Sequence, residues 1–143
     1  MMPGKTTTGA TILIADDNPQ ILELLEAYLE PLSARVLTAR DGQATLDLVA
    51  RDRPDLILLD IMMPRRSGFE VCRVLKEDPR YQAIPIIMVT ALNETADIER
   101  ARETGAEDFI TKPVNKLELL ERVEKLLKAG GGGEVPASGE NGS

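Results

Sequence analysis

Five short aliphatic runs punctuate the chain: Ile12-Leu13-Ile14-Ala15, Val36-Leu37, Leu56-Ile57-Leu58-Leu59, Ile86-Ile87-Met88-Val89 and Phe109-Ile110. The first, third and fourth are apolar at successive positions, as expected for strands buried on both faces of a parallel sheet. Between the runs the apolar spacing becomes helical. Ile21, Leu24, Leu25, Tyr28 and Leu29 fall at i, i+3, i+4, i+7 and i+8, with Asn18 as N-cap, Pro19 at the first helical position and Pro31 just past the end. Ser67 and Glu70 fit a capping box for a helix over Phe69–Lys76 that stops near Pro79. Asn115 and Glu118 serve a last helix whose stripe is Leu119, Leu120, Val123, Leu126 and Leu127. Asp41 and Asn93 cap two more, and Gly105 suits the end of the second of these. Five strands alternating with five helices predict βα crossovers and an open parallel sheet covered on both faces, an α/β architecture.

The ends behave differently. From Gly130 the chain reads GGGGEVPASGENGS, with six of the eleven glycines and almost nothing to bury. Such a stretch cannot offset its ordering entropy, so 129–143 is expected to be a disordered tail or linker, 1–9 a flexible start, and 10–128 the single folded domain. Aromatics are only 3% of the 143 residues and Trp is absent, so the core must be aliphatic. With 17 basic against 24 acidic residues the net charge is −7, which argues against a surface that tracks nucleic-acid phosphates. No signal-peptide core and no apolar run near the ~20 residues of a membrane span is present, so a cytoplasmic protein is expected. Histidine is missing altogether, which removes imidazole zinc sites, Ser-His-Asp hydrolysis and histidine phosphocarriers. The lone Cys72 reads as a small buried hydrophobe.

Open α/β sheets place their sites beyond the carboxyl ends of the strands. Asp16 and Asp17 follow the first run, Asp60 the third, Thr90 the fourth, and Lys112-Pro113 the fifth, whereas Thr38-Ala39-Arg40 after the second is undistinctive. One acid at a strand end is ordinarily a helix cap or a solvated loop. Three brought together repel one another and raise one another's pKa, so chains avoid the cluster unless a cation neutralises it. Oxygen ligands without Cys or His point to Mg²⁺. Mg²⁺, a lysine and a hydroxyl around a carboxylate would stabilise a transferring phosphoryl group, with one carboxylate as nucleophile.

Asp16-Asp17, Leu58-Leu59-Asp60-Ile61-Met62-Met63-Pro64, Gly68, Val89-Thr90-Ala91 and Lys112-Pro113 together resemble the receiver domain of two-component response regulators, colinearly over about residues 10–128. The resemblance implies a three-layer, flavodoxin-like, doubly wound sheet in the order 2-1-3-4-5 with five helices. It implies that Asp60 accepts a phosphoryl group from a phosphohistidine on a sensor histidine kinase or a histidine phosphotransfer protein. Asp17, Asp60 and the main-chain carbonyl of Met62 would bind Mg²⁺, with Asp16 acting through metal-bound water. Thr90 and Lys112 would each meet a phosphoryl oxygen. Pro64 and Gly68 would shape the loop carrying Met62, small Ala91 would leave the acceptor open, and Lys112-Pro113 is expected to be cis.

The same resemblance makes Thr90 and Phe109 the switch pair, with Phe109 as the aromatic that turns inward; a plain core phenylalanine is the competing reading. The fourth helix, about 94–104, carries only Ala96, Ile98 and Ala101 as apolar residues, so the face built from helix four, strand five and helix five is the expected signalling surface. Met62 and Leu92 are apolar where this family borders the path of attacking water, which predicts slow dephosphorylation. The readout would be a downstream protein or an attached output domain, with phosphorylation-dependent homodimerisation as a further expectation. A Mg²⁺-dependent aspartyl-phosphate phosphatase is the enzyme alternative, but it needs a second carboxylate where Met62 stands. A nucleotide site fails for want of a G-x-G-x-x-G after the first strand.

Overall fold

A computed structural model describes residues 9–91 and 95–131. Strands β1 (Thr11–Ala15), β2 (Arg35–Ala39), β3 (Leu56–Leu59), β4 (Ile86–Thr90) and β5 (Asp108–Thr111) alternate with helices α1 (Pro19–Tyr28), α2 (Gly42–Asp52), α3 (Gly68–Lys76), α4 (Thr95–Glu103) and α5 (Lys116–Gly131). The strands are all parallel and lie in the order β2-β1-β3-β4-β5. This is the expected flavodoxin-like arrangement.

Side-chain alternation divides the core in two. Ile12 and Ile14 of β1 and Leu56 and Leu58 of β3 face one side, with Leu25 and Leu29 at α1 and Leu119, Val123 and Leu127 of α5. Leu13, Ala15, Ile57 and Leu59 face the other, with Val49 of α2, Phe69, Cys72 and Leu75 of α3 and Ala101 of α4. Helices therefore cover both faces, and Ile12–Ala15, Leu56–Leu59 and Ile86–Val89 are apolar at every position because neither face reaches water. At roughly 1.5–3 kcal/mol for each large aliphatic side chain taken out of water, these two layers dominate stability.

Caps fall where local chemistry puts them. Asn18 accepts from the Gln20 amide, Asp41 from Ala44, Ser67 from Glu70 and Asn115 from Glu118. Glu70 turns its carboxylate to Arg66 at 2.8 Å, so the Ser67 end of the box is bonded while its acid serves an ion pair. Gly105 adopts φ +98° after α4, a conformation that costs glycine little. Cys72 is fully buried, its thiol against the Thr104 carbonyl oxygen at 3.5 Å.

One expectation is corrected. Leu24 is 40% exposed and Leu22 takes its place in the core. Leu24 sits about 200° around the helix from Leu22, since each residue turns it by ~100°, so it cannot share that stripe. Pro31 lies just past the end of α1, as expected, within a 3₁₀ turn over Glu30–Leu32 that tolerates it because proline at a first turn lacks only an N–H that would be unsatisfied there. Helix α5 runs from Lys116 to Gly131, so its last turn enters the glycine-rich stretch. Asn93 and Leu92 lie outside the described residues. Among the described residues no helix is long and apolar enough to cross a membrane.

Candidate functional site

Parallel strands deliver their C-terminal residues to one edge, and the polar residues meet there. One carboxylate oxygen from each of Asp16, Asp17 and Asp60 lies within 4.8 Å of the others. Lys112 Nζ sits 2.8 Å from Asp16 Oδ2 and 3.7 Å from Asp60 Oδ1. Asp16 and Asp60 are buried, while Asp17 is exposed at the mouth.

Each group is held by backbone. The Asp60 amide donates to the Ala15 carbonyl, which ties the end of β3 to that of β1. Asp16 Oδ1 accepts from the Asn18 amide at 2.9 Å, so the start of α1 orients one acid while Lys112 holds its other oxygen. The Lys112 amide donates to the Thr90 carbonyl at 2.8 Å, and the Lys112-Pro113 bond is cis as expected. Thr90 closes β4 with its side chain buried.

Electrostatics single out Asp60. Burial, and then the charge of Asp16, lift its carboxyl from an ordinary value of 3.8 to about 6, against the pull of Lys112 and of a bond from the Met62 amide. Three acids facing one ammonium leave a negative excess in a partly dry cleft. That excess is what a small divalent cation would neutralise, and the donors are the hard oxygens that Mg²⁺ prefers.

A family model described as the response regulator receiver domain matches residues 12–124. The chain belongs to that family. It is 46% identical over 119 residues to the response regulator PleD of Caulobacter vibrioides, covering 83% of this chain and 26% of that protein. It is 42% identical over 117 residues to the DNA-binding dual master transcriptional regulator RpaA of Synechocystis, covering 82% of this chain and 48% of that one. The receiver thus spans about a quarter to a half of the length of such relatives. Among solved structures, the signal receiver domain of a signal transduction histidine kinase from Syntrophus aciditrophicus matches with a TM-score of 0.79 at 37% identity, over 85% of this chain and 92% of that one. The chemotaxis protein CheY4 of Vibrio cholerae matches with a TM-score of 0.77 at 28% identity, over 83% and 99%.

The loop that follows Asp60 is seated by two glycines. A Cβ on Gly68 would lie 2.2 Å from the carbonyl oxygen of Asp60, so no side chain fits where α3 begins. A Cβ on Gly42 would lie 2.3 Å from the carbonyl oxygen of Arg66, which presses the start of α2 onto the same loop. Met62 projects from this loop, 63% exposed, and Ala91 is exposed just beyond β4. Arg65, at φ +72°, reaches back to Asp41 with Nε 3.4 Å from the carboxylate.

One contribution was missed in the sequence. Arg40, after the undistinctive end of β2, donates to the Asp17 carbonyl at a long 3.5 Å, so the second strand does add a cation at this rim. An arginine immediately beyond a strand end was the available signal. Phe109 is half-buried against the α3–α4 side of the core, and with Ile98, Ala101, Arg102 and Arg122 it lines a pocket of about 370 Å³. The side chain has room beside it that a fully packed core residue would lack.

Proposed function

We propose that this receiver takes a phosphoryl group onto Asp60 from a phosphohistidine of a sensor histidine kinase or histidine phosphotransfer protein. The observation that carries the reading is the Lys112 ammonium between Asp16 and Asp60, at the mouth of three convergent carboxylates. An Asp60 oxygen forms the new O–P bond as the donor's P–N bond breaks and its imidazole leaves. Lys112, already beside Asp60, offsets charge on a phosphoryl oxygen, and the Thr90 hydroxyl donates to another. Asp16, Asp17, Asp60 and the Met62 carbonyl are the groups that would hold Mg²⁺. When bound, Mg²⁺ supplies the positive charge that lets an anionic phosphoryl group approach an anionic acceptor.

An acyl phosphate on Asp60 adds nearly two negative charges at one point. Thr90, drawn toward it, vacates volume next to β5, and Phe109 borders the pocket that could take up the change. The face of α4, β5 and α5 is then the surface that a downstream protein or an attached output domain reads. The relatives RpaA and MtrA are described as DNA-binding, so an output domain in the same polypeptide is a natural partner, with nucleic acid contacted through it rather than through this acidic domain. Such a system works in the cytoplasm.

Incubation with acetyl phosphate and Mg²⁺, read by intact mass and size exclusion, tests this. The native chain should gain one phosphoryl group, and Asp60→Asn should gain none. A gain that persists in Asp60→Asn would falsify the assignment, as would a native chain that never gains it. Size exclusion of the phosphorylated form tests for the homodimer.

A further inference from the structure

Helix α4 is fastened unevenly. Of its nine residues only Ala101 is buried. Its C-terminal end is gripped by buried bonds: the Thr104 hydroxyl donates to the Ala101 carbonyl at 2.6 Å, and the Cys72 thiol reaches the Thr104 carbonyl from α3. Gly105 then lies against the Lys76 side chain, which is itself fixed to the Gln82 and Ile84 carbonyls and to Glu107. Directly before Ala101 the tie is of another kind. The guanidinium of Arg100, an exposed residue, stacks 4.2 Å from the ring centroid of Phe69.

Phe69 is well placed to transmit a change at the acceptor. It is only 5% exposed and follows Gly68 directly, and Gly68 abuts the main chain of Asp60 and Ile61 with no room for a Cβ. The ring is therefore fixed to the end of β3 by its own backbone, while its face carries a cation from α4. Cation–π attraction at an exposed site is modest, enough to hold a resting position and weak enough to release.

We infer that the Arg100–Phe69 stack is a latch that sets the resting position of α4, and that it opens in the phosphorylated state. The helix would pivot about its buried C-terminal grip once the stack is lost. This rests on the reading of α4 as a moving element, and the test separates the two.

Amide hydrogen exchange over 95–104 is measured in the full chain, for the native protein, Arg100→Met and Arg100→Lys, with and without beryllofluoride plus Mg²⁺ as phosphoryl mimic. Arg100 is exposed and Met and Lys match its helix propensity, so the variants should fold alike. Without the mimic, Arg100→Met should exchange about two- to fivefold faster than native, the Boltzmann equivalent of an exposed cation–π contact. Arg100→Lys, which keeps a cation, should lie near native. With the mimic the three should converge, because the latch is already open. If the mimic alters native exchange over 95–104 but Arg100→Met matches native without it, the latch is refuted and the moving helix stands. A Met effect that persists unchanged with the mimic also refutes the latch. If the mimic protects the acceptor loop yet leaves native 95–104 unchanged, the moving helix fails and takes the latch with it.

Discussion

The acidic cleft should destabilise the fold it sits in. Asp60 has its carboxyl raised to about 6, chiefly by burial and next by Asp16, whereas an unfolded chain holds it near the ordinary 3.8. The native state therefore binds a proton more readily than the unfolded state between those values. Linkage gives the sign: Asp60 lowers stability as pH rises through about 4 to 6, and its penalty is complete above that window. The ceiling is about 3 kcal/mol at 1.36 kcal/mol per pKa unit, and solvent reaching the mouth of the cleft reduces it to about 1–2 kcal/mol. Asp60→Asn removes the charge and keeps the shape, and Lys112 retains Asp16 as a partner at 2.8 Å. The variant should be more stable than native near neutrality and should lose that advantage in acid.

Urea denaturation at about pH 4.5 and about pH 7.5, in chelator and then with Mg²⁺, measures this directly. The chain has no histidine, so the side chain that ordinarily titrates in this interval is absent and the difference curve is clean. Without metal the gap between variant and native should open by about 1–2 kcal/mol across the window, or roughly 3–10 °C in Tm for a domain of this size. Mg²⁺ should narrow it, since an ion bound only by the native fold stabilises by about 1.4 kcal/mol at ten times its Kd. Parallel pH profiles for the two proteins, or an equal response to Mg²⁺, would refute the electrostatic account of the cleft.

Other consequences follow from single contacts. Lys112→Ala removes a positive charge 2.8 Å from Asp16. It should tighten Mg²⁺ binding by roughly tenfold, about 1.4 kcal/mol, while slowing phosphorylation by acetyl phosphate by at least that factor; calorimetry and intact mass check the two halves. Gly68→Ala must displace the Asp60 carbonyl, which a Cβ would approach to 2.2 Å; it should cost about 2–4 kcal/mol in urea denaturation and slow phosphorylation. The Met62 side chain, 63% exposed two residues after Asp60, offers no group to orient water. Met62→Asn should hasten loss of the phosphoryl group by about tenfold, the scale of a positioned polar group, and an unchanged decay rate would remove Met62 from the account of signal lifetime.

The sheet was legible in the sequence because strands apolar at every position, such as Leu56–Leu59, have only one place to go: the middle of a parallel sheet. The acidic cleft was legible because that topology sends Asp16, Asp17, Asp60 and Lys112 to one edge. Leu24 was misplaced because a run of leucines satisfies two overlapping stripes, and only packing against α5 decides between Leu22 and Leu24. Arg40 was missed for a different reason. Its reach to the Asp17 carbonyl depends on a rotamer and on the offset between β1 and β2, neither of which spacing encodes. The seat of Gly42 against Arg66 is likewise a close approach between segments far apart in the chain.

Magnitudes also explain why one helix rather than another should carry the signal. Coupling between two sites in a protein is typically about 1–3 kcal/mol. Moving α1 would uncover Leu22 and Leu25, with Leu29 at its cap. At roughly 1.5–3 kcal/mol each, that exceeds what the cleft can supply. Helix α4 has Ala101 as its one buried side chain and the Arg100–Phe69 stack as an added tie. With half-buried Ile98 added, those amount to about 2–3 kcal/mol, within the range of such couplings. Sparse packing of α4 and crowding of carboxylates around Asp60 are thus complementary: a charge change in the cleft meets the helix that the least buried surface holds in place.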